Sequence, residues 1–362
     1  MSYTAASLVF IAPGIGSLPG LLLTAAADRW SRRAIAATGA GTFALAFALF
    51  AWAPNAATLV FAAALAGFGA TGMVDAVEVG LVDATTSDRL RVWLARQNVV
   101  AVIGGMCGPA LLAALAFAGL GWRMAFVLAA AGLGAYAVLL ATSPLPPPDA
   151  GDDDEDTDDD EGSGGLSDII RDPRVLVIGL LSLGTVPFDE PFLGFLIAHL
   201  GQTRGTSAAT ATVIALVAVC GGLVTQGTAA RRPLRMSNQP LYVLGAAGLL
   251  AGSVVVAMAA SLPTIAAAAF AVSAGLELCW LAVQHRALTL RPRQTGKTKA
   301  VISTIESIGF GLPLAIGAVA DATTLTIAMA VFALLAALLL AVAATAKRAL
   351  QERPAAARHP AG

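Results

Sequence analysis

The chain has 362 residues, 57% of them hydrophobic and only 12% charged, with a mean hydropathy of +0.78. Soluble globular domains carry about 25% charged residues, and here the apolar residues come in uninterrupted runs that a water-soluble core does not need and a bilayer crossing does. The formal net charge of −1 conceals a segregation, because twelve of the 23 acids lie within 149–172.

Eleven spans are read in chain order, at about 6–27, 34–53, 56–82, 99–119, 122–143, 175–199, 207–230, 240–260, 263–284, 300–320 and 323–346. The N-terminus has neither the charged n-region nor the cleavage site of a signal peptide. After the fifth span come Ser143-Pro-Leu-Pro-Pro-Pro148, an acidic run from Asp152 to Glu161, and Gly162-Ser-Gly-Gly165. Proline, like-charge repulsion and glycine all oppose packing, so this stretch is predicted to be a flexible linker. The expected organisation is an all-α polytopic membrane protein of two bundles. A five-span bundle occupies 1–145, the acidic linker 146–165, a six-span bundle 166–348 and a tail 349–362. Leu166–Pro173 is predicted to be a short interfacial helix.

Lys and Arg fix the expected orientation. Twenty of the 22 basic residues fall in one set of loops and the tail; the alternate loops hold only Arg123 and Arg204. The basic set is therefore assigned to the cytoplasm, together with the linker and the C-terminus. With eleven spans the N-terminus as given falls outside, in a multi-pass protein of the cell membrane.

The two halves repeat. Thr24-Ala-Ala-Ala-Asp28-Arg29 ends the first span and Gly227-Thr-Ala-Ala-Arg231-Arg232 the seventh, while Pro109 in the fourth span matches Pro313 in the tenth. Internal repeats of this size in an apolar chain are characteristic of secondary transporters. In this register the helix 175–199 lacks a counterpart in the first half. The expectation is a start that omits roughly 30–35 residues, enough for one span.

Thr24-Ala-Ala-Ala-Asp28-Arg29-Trp30-Ser31-Arg32-Arg33 resembles the signature Gly-x-x-x-Asp-Arg-x-Gly-Arg-Arg of the major facilitator superfamily, with Thr24 and Ser31 in place of two glycines. Gly104-Gly-Met-Cys-Gly108-Pro109 resembles that family's Gly-x-x-x-Gly-Pro motif, and Gly121-Trp122-Arg123 resembles its loop into the next helix. The resemblance implies a two-bundle fold working by alternating access. It also implies a gating latch in which Asp28 pairs with Arg32 or Arg33, Arg29 belonging to the same motif. A helix-packing role for Gly104, Gly108 and Pro109 follows too, in a motif that the family associates with export. The fourth-helix arginine of the family's proton/drug antiporters is absent, Ala63-Ala-Leu-Ala66-Gly67 standing there, so that coupling chemistry does not carry over.

Acids inside apolar helices are the candidate chemistry. Asp75, Asp189, Glu190, Glu277 and Glu306 fall within spans, and no Lys or Arg is read deep in any. An ionised group at the bilayer centre costs at least about 2.5–3.5 kcal/mol on insertion scales, so such groups normally face a cavity or a partner. Asp189 and Glu190 lie between Pro187 and Pro191, where the helix must kink or break, and discontinuous helices are where transporters place ion and substrate sites. Asp75 lies nearer the basic side and Glu78 nearer still, so solvation at the interface is expected for both. An acid-lined cavity favours a cationic or neutral small molecule, or proton coupling, over a bare organic anion.

No enzyme is expected. Gly296-Lys297-Thr298 ends like a phosphate-binding loop, but Arg291 stands where the first glycine belongs. His199, His285 and His359 are scattered, and Cys107, Cys220 and Cys279 sit in apolar stretches without metal or redox spacing. Neither cofactor, metal nor nucleic acid is implied; the partners are the bilayer and a solute. The reading is a secondary active transporter, with proton-coupled export among its forms. A non-transporting relative, such as a sensor or a relic, is the alternative.

Overall fold

The computed structural model describes Tyr3 and residues 11–26, 31–143, 166–231 and 236–351. The first half contains α1 (Ile11–Ala26), α2 (Arg32–Trp52), α3 (Ala56–Ala84), α4 (Ser87–Phe117) and α5 (Trp122–Thr142). After the short α6 (Leu166–Ile170), the second half contains α7 (Pro173–Thr185), α8 (Glu190–Arg204), α9 (Ala208–Arg231), α10 (Asn238–Met258) and α11 (Leu262–Thr289). It ends with α12 (Thr295–Ile308), α13 (Leu312–Ala322), α14 (Leu325–Thr345) and α15 (Lys347–Leu350). Among the described residues nine helical segments are long and apolar enough to cross a membrane; α7 and α8 together make one, and α12 and α13 another. Of the expected span at 6–27 the described part is α1, and that at 99–119 overlaps the longer α4.

Local sequence sets the ends of these helices. Asn55, Ser261 and Thr324 cap α3, α11 and α14, their side chains accepting from Thr58, Thr264 and Ile327 N–H groups at 2.9, 3.3 and 3.3 Å. Such caps satisfy donors that have no partner inside the helix. Gly205, in the left-handed region at φ 62°, stops α8.

The two halves share one packing plan. In the first, α3 packs on α1 and α2, and α2 on α5; in the second, α11 packs on α9 and α10, and α10 on α14. Glycine carries the closest contacts at matching positions. A β-carbon built at Gly69 would lie 2.7 Å from the Gly39 carbonyl oxygen. The equivalent pair, Gly245 and Gly275, stands 206 positions further on, and there each carbonyl lies 2.5 Å from a β-carbon built on the other glycine. Gly16 against the Ala64 carbonyl is likewise matched by Gly221 against that of Phe270. No side chain fits at these crossings.

Across the halves, α1 packs on α12 and α4 on α9. In the second half α7 also packs on α12. Among the described residues nothing covers α4 in the corresponding way, and Val100 and Ile103 on it are 70% and 47% exposed.

Candidate functional site

The span expected at 175–199 breaks where Pro187 and Pro191 predict. It runs as α7, a 3₁₀ turn Val186–Phe188, and α8, with Asp189 at the junction and Glu190 in the first turn of α8. Proline lacks the N–H that would continue the ladder. A second break, Gly309–Gly311, separates α12 from α13 just before Pro313. The two breaks meet: a β-carbon on Gly309 would lie 2.6 Å from the Leu183 carbonyl oxygen and 3.0 Å from Val186.

Around this crossing the structure gathers four of the five expected acids. A cavity of about 180 Å³ is lined by Asp189, Glu190, Glu277 and Glu306, with Asn98, Thr185, Trp280 and Phe310 among its other walls. Glu277 is on α11, and its Oε2 accepts from Asn98 Nδ2 of α4 at 2.5 Å and from Gln226 Nε2 of α9 at 2.7 Å. Glu306, on α12, accepts from Ser182 Oγ of α7 at 2.7 Å. Asp189 and Glu190 face accessible space, and among the described residues no basic group forms an ion pair with any of the four. Asn98 is the contribution of the first half, so the cavity lies where the bundles meet. Close by, Ser17 and Ser307 join α1 to α12 at 2.9 Å.

Asn98, Gln226, Ser182 and Trp280 were not singled out by sequence reasoning. For Asn98 and Gln226 a signal is present, since uncharged amides are sparse in these apolar runs; Ser182 and Trp280 carry none that sets them apart from other span residues.

Asp75 belongs to a different site, and the expectation of interface solvation for it and Glu78 is overturned. Both lie on α3 and are buried, with side chains 9% and 3% exposed. Lys299 of α12 reaches Glu78 at 2.8 Å and Asp75 at 3.7 Å, and donates to Gln284 Oε1 of α11 at 2.5 Å. The expected start of this span at 300 is corrected with it, whereas Lys299 stands near the basic end and not deep in the span. The helix begins at Thr295 rather than 300, which carries Lys299 into the protein, its own side chain 4% exposed. The acids avoid the cost of isolated burial by sharing this cation across the two halves.

Two further polar ties join the halves at the same end. Arg91 donates to the Met236 carbonyl and to Asn238 Oδ1, both at 2.7 Å, and Arg96 to the Ala230 carbonyl at 3.3 Å.

Asp28 and Arg29 lie outside the described residues. Arg32 is buried and donates to the Val79 carbonyl of α3, in its own half, at 3.4 Å, while Arg33 is exposed. The inter-half ion pairs described are those of Lys299. Gly104 and Gly108 lie in α4 with nothing described within 4 Å of a built β-carbon, so the expected close packing at this motif is absent among the described residues. Pro109 lies within α4, which runs unbroken through it.

Two helical bundles, broken spans that cross each other and acids lining a cavity where the bundles meet fit a membrane transport protein rather than an enzyme. The sequence profile described as Major Facilitator Superfamily matches residues 1–312, and the chain belongs to that family. It is a multi-pass membrane protein and a secondary transporter of small molecules.

Solved structures share the fold. A double-tryptophan mutant of XylE aligns with a TM-score of 0.77 at 15% identity, covering 98% of this chain and 86% of that one. The human organic anion transporter MFSD10 (TETRAN) gives 0.71 at 16%, covering 93% and 83%. The E. coli fucose:proton symporter FucP gives 0.68 at 18%, covering 96% and 99%. No curated protein matches the chain.

Proposed function

We propose that this protein carries a small cationic or neutral solute across the cell membrane by alternating access, with proton binding at the central carboxylates coupled to solute movement. The observation that carries this reading is the convergence of Asp189, Glu190, Glu277 and Glu306, none with a basic ion-pair partner among the described residues, on a cavity at the inter-half boundary. Ionised acids in a low-dielectric site attract cations and repel organic anions; protonated, they donate hydrogen bonds to neutral solutes. The fold neighbour that is a fucose:proton symporter is an instance of this architecture coupling protons to a neutral solute. The resemblance at Gly104–Pro109 favours export. Positive-inside asymmetry places the basic loops, linker and C-terminus in the cytoplasm and the N-terminus as given outside. Alternating access then requires Lys299 to part from Glu78 and Asp75 as the halves swing.

The test is purified protein in sealed vesicles with an imposed pH gradient, challenged with cationic, neutral and anionic solutes. Gradient-driven flux of a cation or neutral solute is expected, accompanied by proton counter-movement. Flux of organic anions alone would overturn the charge assignment. The alternative, a sensor or relic, draws on Thr24 and Ser31 in place of the signature's glycines and on the absent fourth-helix arginine. Solute binding without flux would favour it.

A further inference from the structure

At the basic end of the second half lies a cavity of about 930 Å³, separate from the central acids. Three spans end on it. Pro173 opens one, α11 finishes at Thr289 shortly before the lining residue Arg291, and α14 finishes at Thr345. This is the level at which apolar helix gives way to polar chain, where the phosphates of a bilayer lie.

Five basic side chains line it: Arg171, Arg174, Arg291, Lys347 and Arg348. Asp172, with a side chain 4% exposed, holds two of them, accepting from Arg174 Nη2 and Arg291 Nη2, each at 3.0 Å. Burial alone would raise the Asp172 carboxyl; hydrogen bonds from the Arg174 side chain and backbone and from Arg291 outweigh it and hold it at about 2. Asp172 therefore stays an anion that fixes the two guanidinium groups in place. Arg291 Nε is buried and has no hydrogen-bond partner among the described residues. Arg171, Lys347 and Arg348 are exposed, and their side chains form no hydrogen bond or ion pair there. With Asp168 as the other acid in the lining, three positive charges remain uncompensated. Val177 and Ala349 give the same cavity apolar wall. Concentrated positive charge, an orphan guanidinium donor and adjacent apolar surface together fit a phosphate ester attached to a hydrophobic body.

We propose that this cavity binds the phosphate-bearing headgroup of an anionic phospholipid from the leaflet on the basic side. Asp172 acts as the organiser, holding Arg174 and Arg291, while Arg171, Lys347 and Arg348 supply the neutralising charge. Basic pockets between membrane helices are suited to such headgroups, each cation near the surface contributing roughly a fivefold preference.

The experiment uses the full-length protein in uncharged detergent, titrated with phosphatidylglycerol, phosphatidylcholine, glycerol phosphate or inorganic phosphate, with bound molecules counted by native mass spectrometry. Phosphatidylglycerol is expected to be retained at concentrations about tenfold or more below phosphatidylcholine. The variant Arg171→Gln/Lys347→Gln/Arg348→Gln should remove that preference, whereas Arg33→Gln/Arg89→Gln/Arg231→Gln, an equal loss of charge at other positions, should keep it. Should the first triple variant not purify as a monodisperse species, Arg171→Gln and Lys347→Gln taken singly should each lower the preference several-fold. Equal retention of the two lipids, or full retention by the cavity variants, overturns the proposal. Displacement of the lipid by glycerol phosphate or inorganic phosphate at matched concentration would assign the site to a soluble phosphate ester and overturn the lipid reading.

Discussion

Asn98 of the first bundle donates to the Glu277 carboxylate of the second across 2.5 Å, and Gln226 donates to the same oxygen at 2.7 Å. A carboxylate at the meeting of the two halves is thus held by one amide from each. Under the alternating access proposed above, separation of the halves would leave Glu277 with Gln226 and without Asn98, so its environment would differ between the two access states. Glu277→Gln is expected to abolish gradient-driven flux while leaving the protein in the membrane. Asn98→Ala, which removes a hydrogen bond to a charged group worth about 1.5–3 kcal/mol, should lower flux by roughly 10- to 100-fold. Flux assays in vesicles, normalised to reconstituted protein, decide both. Undiminished flux in Glu277→Gln would exclude this carboxylate from the transport path.

The pair at the helix break should divide unequally. Neighbours on a helix point about 100° apart, and Asp189 sits at the junction while Glu190 has entered α8. One of Asp189→Asn and Glu190→Gln should abolish coupled flux and the other should be mild, with Glu190 the expected essential member. Proton movement measured alongside solute movement separates lost coupling from lost binding. If the double variant transports like the unmodified protein, neither acid takes part.

Breaking the Lys299 cluster should cost stability as well as function. Lys299→Gln leaves Glu78 and Asp75 buried without their cation, and loss of one partner in a buried ion pair typically costs about 3–5 kcal/mol. A marked drop in melting temperature is expected, together with increased labelling of cysteines placed on the basic side of the inter-half boundary. The combination Lys299→Gln/Glu78→Gln should recover part of the stability and keep the increased labelling. A Lys299→Gln protein with unchanged melting and labelling would mean that the pair neither holds the halves together nor stabilises them.

Glycines that look alike in the sequence should behave differently. Gly245→Ala and Gly39→Ala push a methyl group into a facing backbone, a clash of the kind that costs about 1–3 kcal/mol. Gly104→Ala and Gly108→Ala meet open space among the described residues, and exchanging glycine for alanine in a helix gains roughly 0.5–1 kcal/mol. Thermal melting in detergent should fall for the first two variants and hold or rise for the others. A loss of stability in Gly104→Ala comparable to that in Gly245→Ala would show that a neighbour does press on this face.

Asp172 should give a pH signature. Its carboxyl is held at about 2, below the ordinary 3.8. A depressed pKa in the folded state contributes stability that is present above the unfolded value and lost as pH falls through the folded one. The difference in stability between the protein and Asp172→Asn should therefore be constant above about pH 4 and shrink between there and about pH 2. Screening by solvent keeps its size on the order of 1 kcal/mol. A difference that does not change across that window would show that the carboxylate charge is not what matters at this position.

The helix break and the central acids were legible because they violate what a bilayer tolerates: two prolines in one span, and charge in an apolar run. Lys299 was misplaced for a physical reason. Counting basic residues near span ends treats each as a loop residue, and nothing in the one-dimensional pattern shows that Asp75 and Glu78 on another helix will draw this one inward. Gly104 and Gly108 differ in that nothing described stands within 4 Å of a β-carbon built on either. A small residue permits close approach, but what stands opposite it is a property of the assembled bundle. The Gly39–Gly69 and Gly245–Gly275 crossings went unread because those glycines are scattered among many alanines.

Those crossings separate the shape of the repeated unit from its chemistry. The same backbone-to-backbone contact recurs 206 positions apart, in α2 with α3 and again in α10 with α11. Yet all four central acids belong to the second copy, and among the described residues the first lends the lining the amide of Asn98. The backbone crossing is thus repeated while the side-chain chemistry around it is not. One half presents the cavity's charge and the other a wall set against it.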